Sequence, residues 1–170
     1  IYKYYINGQI KSEENWSDGK WNGKWTTWYE NGQIDSVVHH KDGKNDGKFT
    51  VWHQNGQVYY EQYWEDGKKN GLSTVWDEFG QKVESKNYKD DKLNGESFFW
   101  LKNGQMNIKG VYKNDVPDGI WVFWKANGQK EEERNYKNGD LIDTTLFKYD
   151  FFGDVKYIKK YKDGECVLGC

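Results

Sequence analysis

The stretch Trp28-Tyr29-Glu30-Asn31-Gly32-Gln33-Ile34 decides how this chain is read, because it returns. Twenty-four residues later the chain writes Trp52-His53-Gln54-Asn55-Gly56-Gln57-Val58. At Trp100 it writes W-L-K-N-G-Q-M, and at Trp124 W-K-A-N-G-Q-K. The glycines Gly8, Gly32, Gly56, Gly80, Gly104 and Gly128 keep the same step of 24, and Gly153 follows after 25. A second series runs Asp18-Gly19, Asp42-Gly43, Asp66-Gly67, Asp90-Asp91, Asn114-Asp115, Asn138-Gly139 and Asp163-Gly164. A third series, also read as turns, runs Asn22-Gly23, Asp46-Gly47, Asn70-Gly71, Asn94-Gly95 and Asp118-Gly119, and lapses at Ile142-Asp143. Two aromatic columns share the step. One is Trp28, Trp52, Trp76, Trp100 and Trp124; the other is Trp16, His40, Trp64, Tyr88, Tyr112, Tyr136 and Tyr161.

So dense a punctuation leaves no stretch for a typical helix. Asn-Gly is a strong hairpin signal, since a type I′ turn needs positive φ at both central residues. The intervening Thr, Val, Tyr, Trp and Ile suit a pleated surface. Each unit is therefore predicted to be two strands. Around Asn31-Gly32 this reading places Glu30 opposite Gln33 and Trp28 opposite Asp35. The six residues Asp42–Gly47 then turn the chain back. The fold class expected is all-β: an elongated, single-layer antiparallel meander of about seven 24-residue hairpins, roughly fourteen strands. The units run 4–27, 28–51, 52–75, 76–99, 100–123, 124–148 and 149–170, within a single repeat domain over residues 1–170. No unit can bury its rings alone, whereas stacked copies can. Simple pairing puts Trp28 and His40 on opposite faces, and a bulge in the longer turn would change that.

Composition agrees with such a scaffold. Only 35% of residues are hydrophobic and mean hydropathy is −1.12, values found in disordered chains, yet 18% are aromatic with ten Trp. Each ring can bury about 150–250 Å², so the apolar mass is aromatic rather than aliphatic. Net charge is −2, Arg134 is the only Arg, and Lys is interspersed with acids, which gives no nucleic-acid groove and no polybasic segment. No apolar run is long enough for a membrane-spanning helix.

In W-x-x-N-G-x-(I/V) followed by Y-x-D-G-K-x-x-G, the chain resembles the variant MORN repeats of bacteria. Residues 97–119 fit well, and the resemblance covers nearly the whole chain. It implies protein binding, with no catalytic residues and no cofactor; some members are named antitoxin-like. The lipid association of the eukaryotic repeats is not carried over, since their Y-x-G-x-W spacing and a basic bias are missing. A weaker likeness is to the choline- and glucan-binding repeats of bacterial surface proteins, whose G-W and Y-Y doublets do not recur here.

Reactive residue types are present but do not assemble. His39, His40 and His53 are the only histidines; strand alternation sends His39 and His40 to opposite faces, and His40 fills an aromatic column, so no metal site is expected. Asp42–Gly47 imitates the start of an EF-hand loop but has Lys44 at its third position and His53 at its twelfth. Lys130–Arg134, K-E-E-E-R, reads as a solvated strand rather than a carboxylate pair. The sequence leaves open whether Cys166 and Cys170 are free or bonded.

The chain is thus read as a non-enzymatic repeat scaffold that binds another protein through its rings, with Trp52, Trp76, Trp100, Trp124, Tyr88 and Tyr112 as candidate contact residues. The alternative is a secreted or surface-attached module that binds glycan or cell-wall polymer through the same ladders, with polar neighbours such as Asp35, Asn87 or Glu132. Neither nucleic acid nor membrane insertion is expected. The sequence starts at Ile1 without Met, and a secretory leader upstream would favour the second reading; an extracytoplasmic location is preferred over a cytoplasmic one. Ile1–Ile6, I-Y-K-Y-Y-I, reads as an edge strand able to associate with another strand.

Overall fold

The computed structural model describes residues 1–170 and contains no helix. Two compact units divide the chain, Ile1–Lys92 and Leu93–Cys170. Each is an antiparallel meander. In the first, Tyr2–Tyr4 pairs with Ile10–Glu13. Gly23–Trp28, Ile34–Lys41, Gly47–Trp52, Val58–Glu65, Lys68–Trp76 and Lys82–Lys89 follow in order, each paired with the one before. In the second, the order is Lys92–Trp100, Met106–Lys113, Gly119–Trp124, Lys130–Lys137, Asp140–Tyr149, Val155–Lys162 and Glu165–Leu168. The all-β hairpin meander read from the 24-residue period is the fold. The strands divide into nineteen segments rather than fourteen, because irregularities split some of them, as between Lys44–Asn45 and Gly47–Trp52.

The turn chemistry corrects the sequence reading. At Asn31-Gly32 only the glycine has positive φ, +83°, so this is not a type I′ turn. Tyr29 N–H donates to Gln33 O at 2.8 Å and Gly32 N–H to Tyr29 O at 2.9 Å, closing a three-residue loop. That loop shifts the register by one. Thr27 pairs with Ser36 but Trp28 pairs with Ile34, not Asp35. The primed geometry belongs instead to the Asp-Gly series. Asp42 (φ +53°) and Gly43 (φ +85°) are both left-handed, and Lys41 pairs directly with Lys44. The return turn is thus two residues, not the six of Asp42–Gly47. Nor is the third glycine series a set of turns. Gly23, Gly47, Gly71, Gly95 and Gly119 lie within strands, opposite His40, Trp64, Tyr88, Tyr112 and Tyr136. Each glycine gives up a side chain across from a ring.

Hydrogen bonds between successive turns show what the period achieves. Along one margin, Tyr5 Oη donates to Trp28 O at 2.7 Å, Tyr29 Oη to Trp52 O at 2.5 Å, and a ring nitrogen of His53 bonds Trp76 O at 3.2 Å. Asn31 and Asn55 Nδ2 reach Gln54 O and Glu78 O. Along the other margin, Gly43 N–H donates to Trp21 O, Gly67 N–H to Asn45 O, and Gly139 N–H to Pro117 O, at 2.8–2.9 Å. Backbone groups that would be orphaned in an isolated hairpin find partners one repeat away.

The interior is thin. Trp121 is the one large hydrophobic side chain that is buried, 8% exposed. The other hidden side chains are mostly small or polar, among them Thr26, Thr50, Thr74, Ser85, Ser97 and Gln62. They occupy mid-strand positions where longer neighbours overhang them. Gln62 is satisfied there: its Nε2 donates to Tyr63 O at 2.6 Å and its Oε1 accepts from Tyr60 Oη at 3.4 Å. The disulfide that the sequence left open is formed, Cys166 to Cys170.

Candidate interaction surface

Strand register assigns each ring to a face. In the first unit, Thr27, Ser36, Val51, Tyr60, Val75 and Glu84 form one row across the sheet. Alternation then puts Trp25, His40, Phe49, Trp64 and Tyr88 on that same face. Trp52 and Trp76 fall on the opposite face, with Thr26, Thr50 and Thr74. In the second unit, Phe99, Ile108, Phe123, Glu132 and Leu146 form the corresponding row, and Trp121, Arg134, Tyr112 and Tyr136 share its face. Trp100 and Trp124 lie on the other. Both faces therefore carry rings, and the candidate Trp and Tyr columns point away from each other. Trp52, Trp76, Tyr88, Trp100, Tyr112 and Trp124 are all half-buried.

Several of these rings already have occupants. Lys69 Nζ lies over the Tyr88 ring at 5.1 Å and over Trp64 at 5.9 Å. Trp100 stacks on Phe98 at 5.9 Å with planes 26° apart. Tyr112 meets Trp121 edge-on at 4.9 Å. Arg134 lies 4.6 Å from the centre of the Phe123 ring while its guanidinium grips both oxygens of Glu132, at 2.9 Å each. That charge-assisted pair raises the Arg134 pKa beyond its already high value.

The remaining candidate groups do not converge on chemistry. Glu133 is bound by Lys130 at 2.6 Å, so the K-E-E-E-R carboxylates are taken up in strand ion pairs. Of the three histidines, His39 bonds Lys48 O at 3.0 Å and His53 the Trp76 carbonyl, while His40 is buried against Trp21 and Trp25. Burial, then the neighbouring His39, lower the His40 pKa. No three His, Cys, Asp or Glu side chains are grouped as metal ligands would be. Of the polar neighbours, Asp35 Oδ2 accepts from Thr27 Oγ1 at 2.9 Å, and Asn87 sits on the face opposite Glu132's counterpart row. Glu14, almost fully buried, is held by Lys3 Nζ at 2.5 Å and Trp16 Nε1 at 3.3 Å. The Lys3 bond, foremost, holds its carboxyl below the usual range.

At residue scale this is the architecture of a repeat module, and sequence comparison agrees. A family profile described as "MORN repeat variant" matches four segments, residues 21–42, 45–66, 93–114 and 117–138, which together make up half of the chain. The chain belongs to this family. The MORN repeats are binding modules, for proteins or membranes, rather than catalysts. A comparison with curated proteins finds no match. The structure extends the MORN hairpin beyond the matched segments: residues 69–90 keep its register, with Gly71 opposite Tyr88.

Sequence reasoning missed three features. Trp25 and Trp121, four periods apart, form a third ring position on the Tyr88-type face; the column escaped notice because Ser73 and Ser97 interrupt it. Gly110 was missed because only the fold brings it under Trp121. Phe79 and Phe152 stand where other units have the turn Asn, and the period alone marks that departure.

Proposed function

We propose that this MORN-repeat chain is a non-enzymatic scaffold that binds another protein. The observation that carries this reading is the uncovered sheet. Each unit is built from one meander, with half-buried rings on both faces and exposed side chains such as Tyr63 (45%), Leu72 (43%) and Ile120 (57%) among polar neighbours. Aromatic and aliphatic area on rigid strands, rimmed by charge, is what protein interfaces use. The glycan reading asks for rings free to stack on a sugar. Lys69 occupies a face of Tyr88, Phe98 stacks on Trp100, and Trp121 abuts Tyr112. These contacts favour protein over saccharide. The edge strand Tyr2–Tyr4, paired on one side with Ile10–Glu13, offers its other side to a further strand.

The test is photo-crosslinking in the native source, with a reactive aromatic residue placed in turn at Tyr63, Ile120, Trp52 and Tyr88. The scaffold reading expects a discrete protein adduct from at least one position, confirmed by titrating the purified partner. Absence of any adduct, together with retention on a cell-wall polymer column, would replace it with the glycan reading.

A further inference from the structure

One hairpin tip carries two aromatic side chains that its own turn does not require. The loop Asp150-Phe151-Phe152-Gly153-Asp154 exposes its two phenylalanines at 97% and 87%. The rings meet edge to face, 5.7 Å apart at 85°, and so little of either is covered that they support almost nothing else. The repeat supplies an internal control. The equivalent tips Glu30-Asn31, Gln54-Asn55, Lys102-Asn103 and Ala126-Asn127 have no aromatic side chain, and Glu78-Phe79 has one. Their backbone closure is the same: Tyr29 N–H to Gln33 O at 2.8 Å, Asp150 N–H to Asp154 O at 2.9 Å. The loop therefore forms without Phe at either place.

The phenylalanine also displaces a working group. In the Asn tips, Asn Oδ1 accepts from the N–H two residues on, at Gln33, Gln57, Gln105 and Gln129, at 3.0–3.1 Å. Phe152 cannot do this. Asp150 takes over from the first position of the loop: its Oδ1 accepts from Phe152 N–H at 2.9 Å and Asp154 N–H at 3.0 Å. The same exchange occurs at Asp77, which bonds Phe79 N–H and Gln81 N–H, with Phe79 74% exposed. The cap is moved so that the summit can carry a ring.

Resting on the scaffold reading above, we propose that the Asp150–Asp154 tip is an anchor that inserts Phe151 and Phe152 into an apolar pocket of a protein partner. Its charge pattern sets the rest of that pocket. Asp150 and Asp154 flank the rings at the summit, whereas Lys148 and Lys156 stand further back on the strands. A pocket rimmed by cations or N–H donors complements this. An anionic bilayer that took up the rings would next meet the two carboxylates, ahead of Lys148 and Lys156, which disfavours it. Two adjacent, rigidly mounted rings are the kind of side chain that dominates an interface.

The experiment places a photo-reactive phenylalanine analogue at 152, and for comparison at 31, 63 and 120, in the full chain in its native source. The expected result is a single protein adduct from 152 and none from 31. The partner, identified from the adduct and purified, is then titrated with the wild type, Phe151→Ser/Phe152→Ser and Asn31→Ser. The double variant is expected to bind on the order of 30-fold or more weaker, and Asn31→Ser within about twofold. Its circular dichroism and urea midpoint are expected to match the wild type, because the rings hold no structure. A partner bound equally by the double variant overturns the tip assignment and leaves the scaffold reading intact. No adduct from any position overturns both. Phe-dependent sedimentation with phosphatidylserine vesicles, or Phe-dependent self-association on sizing, overturns the protein pocket in favour of a membrane or a second copy.

Discussion

Trp25 and Trp121 occupy the same place in the repeat, four periods apart, and are packed in two different ways. Trp25 lies beside Trp21 (5.1 Å) and His40 (5.6 Å), rings contributed by the Trp16–Trp21 ribbon and the next strand. The register of Ser12 with Thr27 and Glu13 with Thr26, carried one residue past the preceding strand, brings Glu14 across from it. Beside Trp121 the matching ribbon pairs Tyr112 with Pro117, so a proline stands where the first ribbon has the ring of Trp21. Trp121 lies on Gly110, so closely that a Cβ there would fall 2.1 Å from the indole. Tyr112 and Tyr136 meet it edge-on, and its Nε1 donates to Val111 O at 3.1 Å. Trp25 keeps a buried N–H with no partner. The period fixes where a ring stands; the residue on the neighbouring strand decides how deep it sinks.

The largest expected effect follows from that depth. Trp121→Ala empties the one buried large-hydrophobic site, and about 4 kcal/mol of stability should go with it. Trp25→Ala removes a ring that is only half-buried and should cost roughly half as much. Urea titrations of both variants check the order; equal losses would show that the ribbon contacts of Trp25 are worth as much as the glycine hollow.

Gly110→Ala attacks the hollow itself. Gly110 does not have the left-handed backbone that restricts the turn glycines, so alanine meets no φ penalty there. The whole cost is the collision with the indole, which should reach about 3 kcal/mol, as overpacking does when the obstacle is a rigid ring. Gly128→Ala, where a Cβ meets only Gln105 Nε2 at an ordinary 3.8 Å but φ is +84°, should lose about 1 kcal/mol from backbone strain. A Gly110→Ala loss no larger than that of Gly128→Ala would mean the ring can shift freely.

The third effect separates the two sites by pH. His40 packs on Trp25, whereas the matching neighbour of Trp121 is Tyr136. Burial, and after it the nearby His39, push the His40 pKa down. The neutral form is thus favoured in the folded chain. The contribution is full above the ordinary histidine value, falls as pH drops from there toward the lower folded value, and is flat beneath it. Wild-type urea midpoints should decline as pH falls below the ordinary histidine value of about 6.5, and His40→Tyr should flatten that decline. An unchanged slope would place the proton uptake elsewhere.

What the sequence revealed here was whatever repeats identically. The 24-residue glycine step gave the hairpins, their order and the Trp and Tyr columns. Turn geometry is not legible in the same way, because Asn31-Gly32 and Asp42-Gly43 look alike as letters. They differ in a contact beyond the pair: Asn31 Oδ1 bonds Gln33 N–H, which suits a three-residue loop. The glycines opposite rings, such as Gly23 and Gly119, look like turn residues in the sequence, since their partners are fixed only by register. The candidate contact rings were legible as columns, but not their division between faces, which hangs on the one-residue shift at each Asn-Gly loop. The Trp25–Trp121 position was hidden by its own variety, with Phe49, Ser73 and Ser97 between the two indoles.

The smallest effect isolates one N–H group. Trp→Phe keeps a ring at either site and removes the indole donor. At Trp121 the lost bond is to Val111 O, which still accepts from Asp118 N–H at 2.9 Å. No acceptor is orphaned, so the cost beyond lost ring area should be that of one ordinary hydrogen bond, about 1 kcal/mol. At Trp25 the donor has no partner to lose. Removing it abolishes a desolvation penalty, which offsets the smaller ring area, and Trp25→Phe should fall within about 0.5 kcal/mol of the wild type. Urea midpoints of the two variants, with Trp121→Phe/Trp25→Phe to test additivity, measure the difference. A Trp25→Phe loss as large as that at Trp121 would mean that the Trp25 N–H is hydrogen-bonded after all, and the contrast between the two sites would reduce to depth alone.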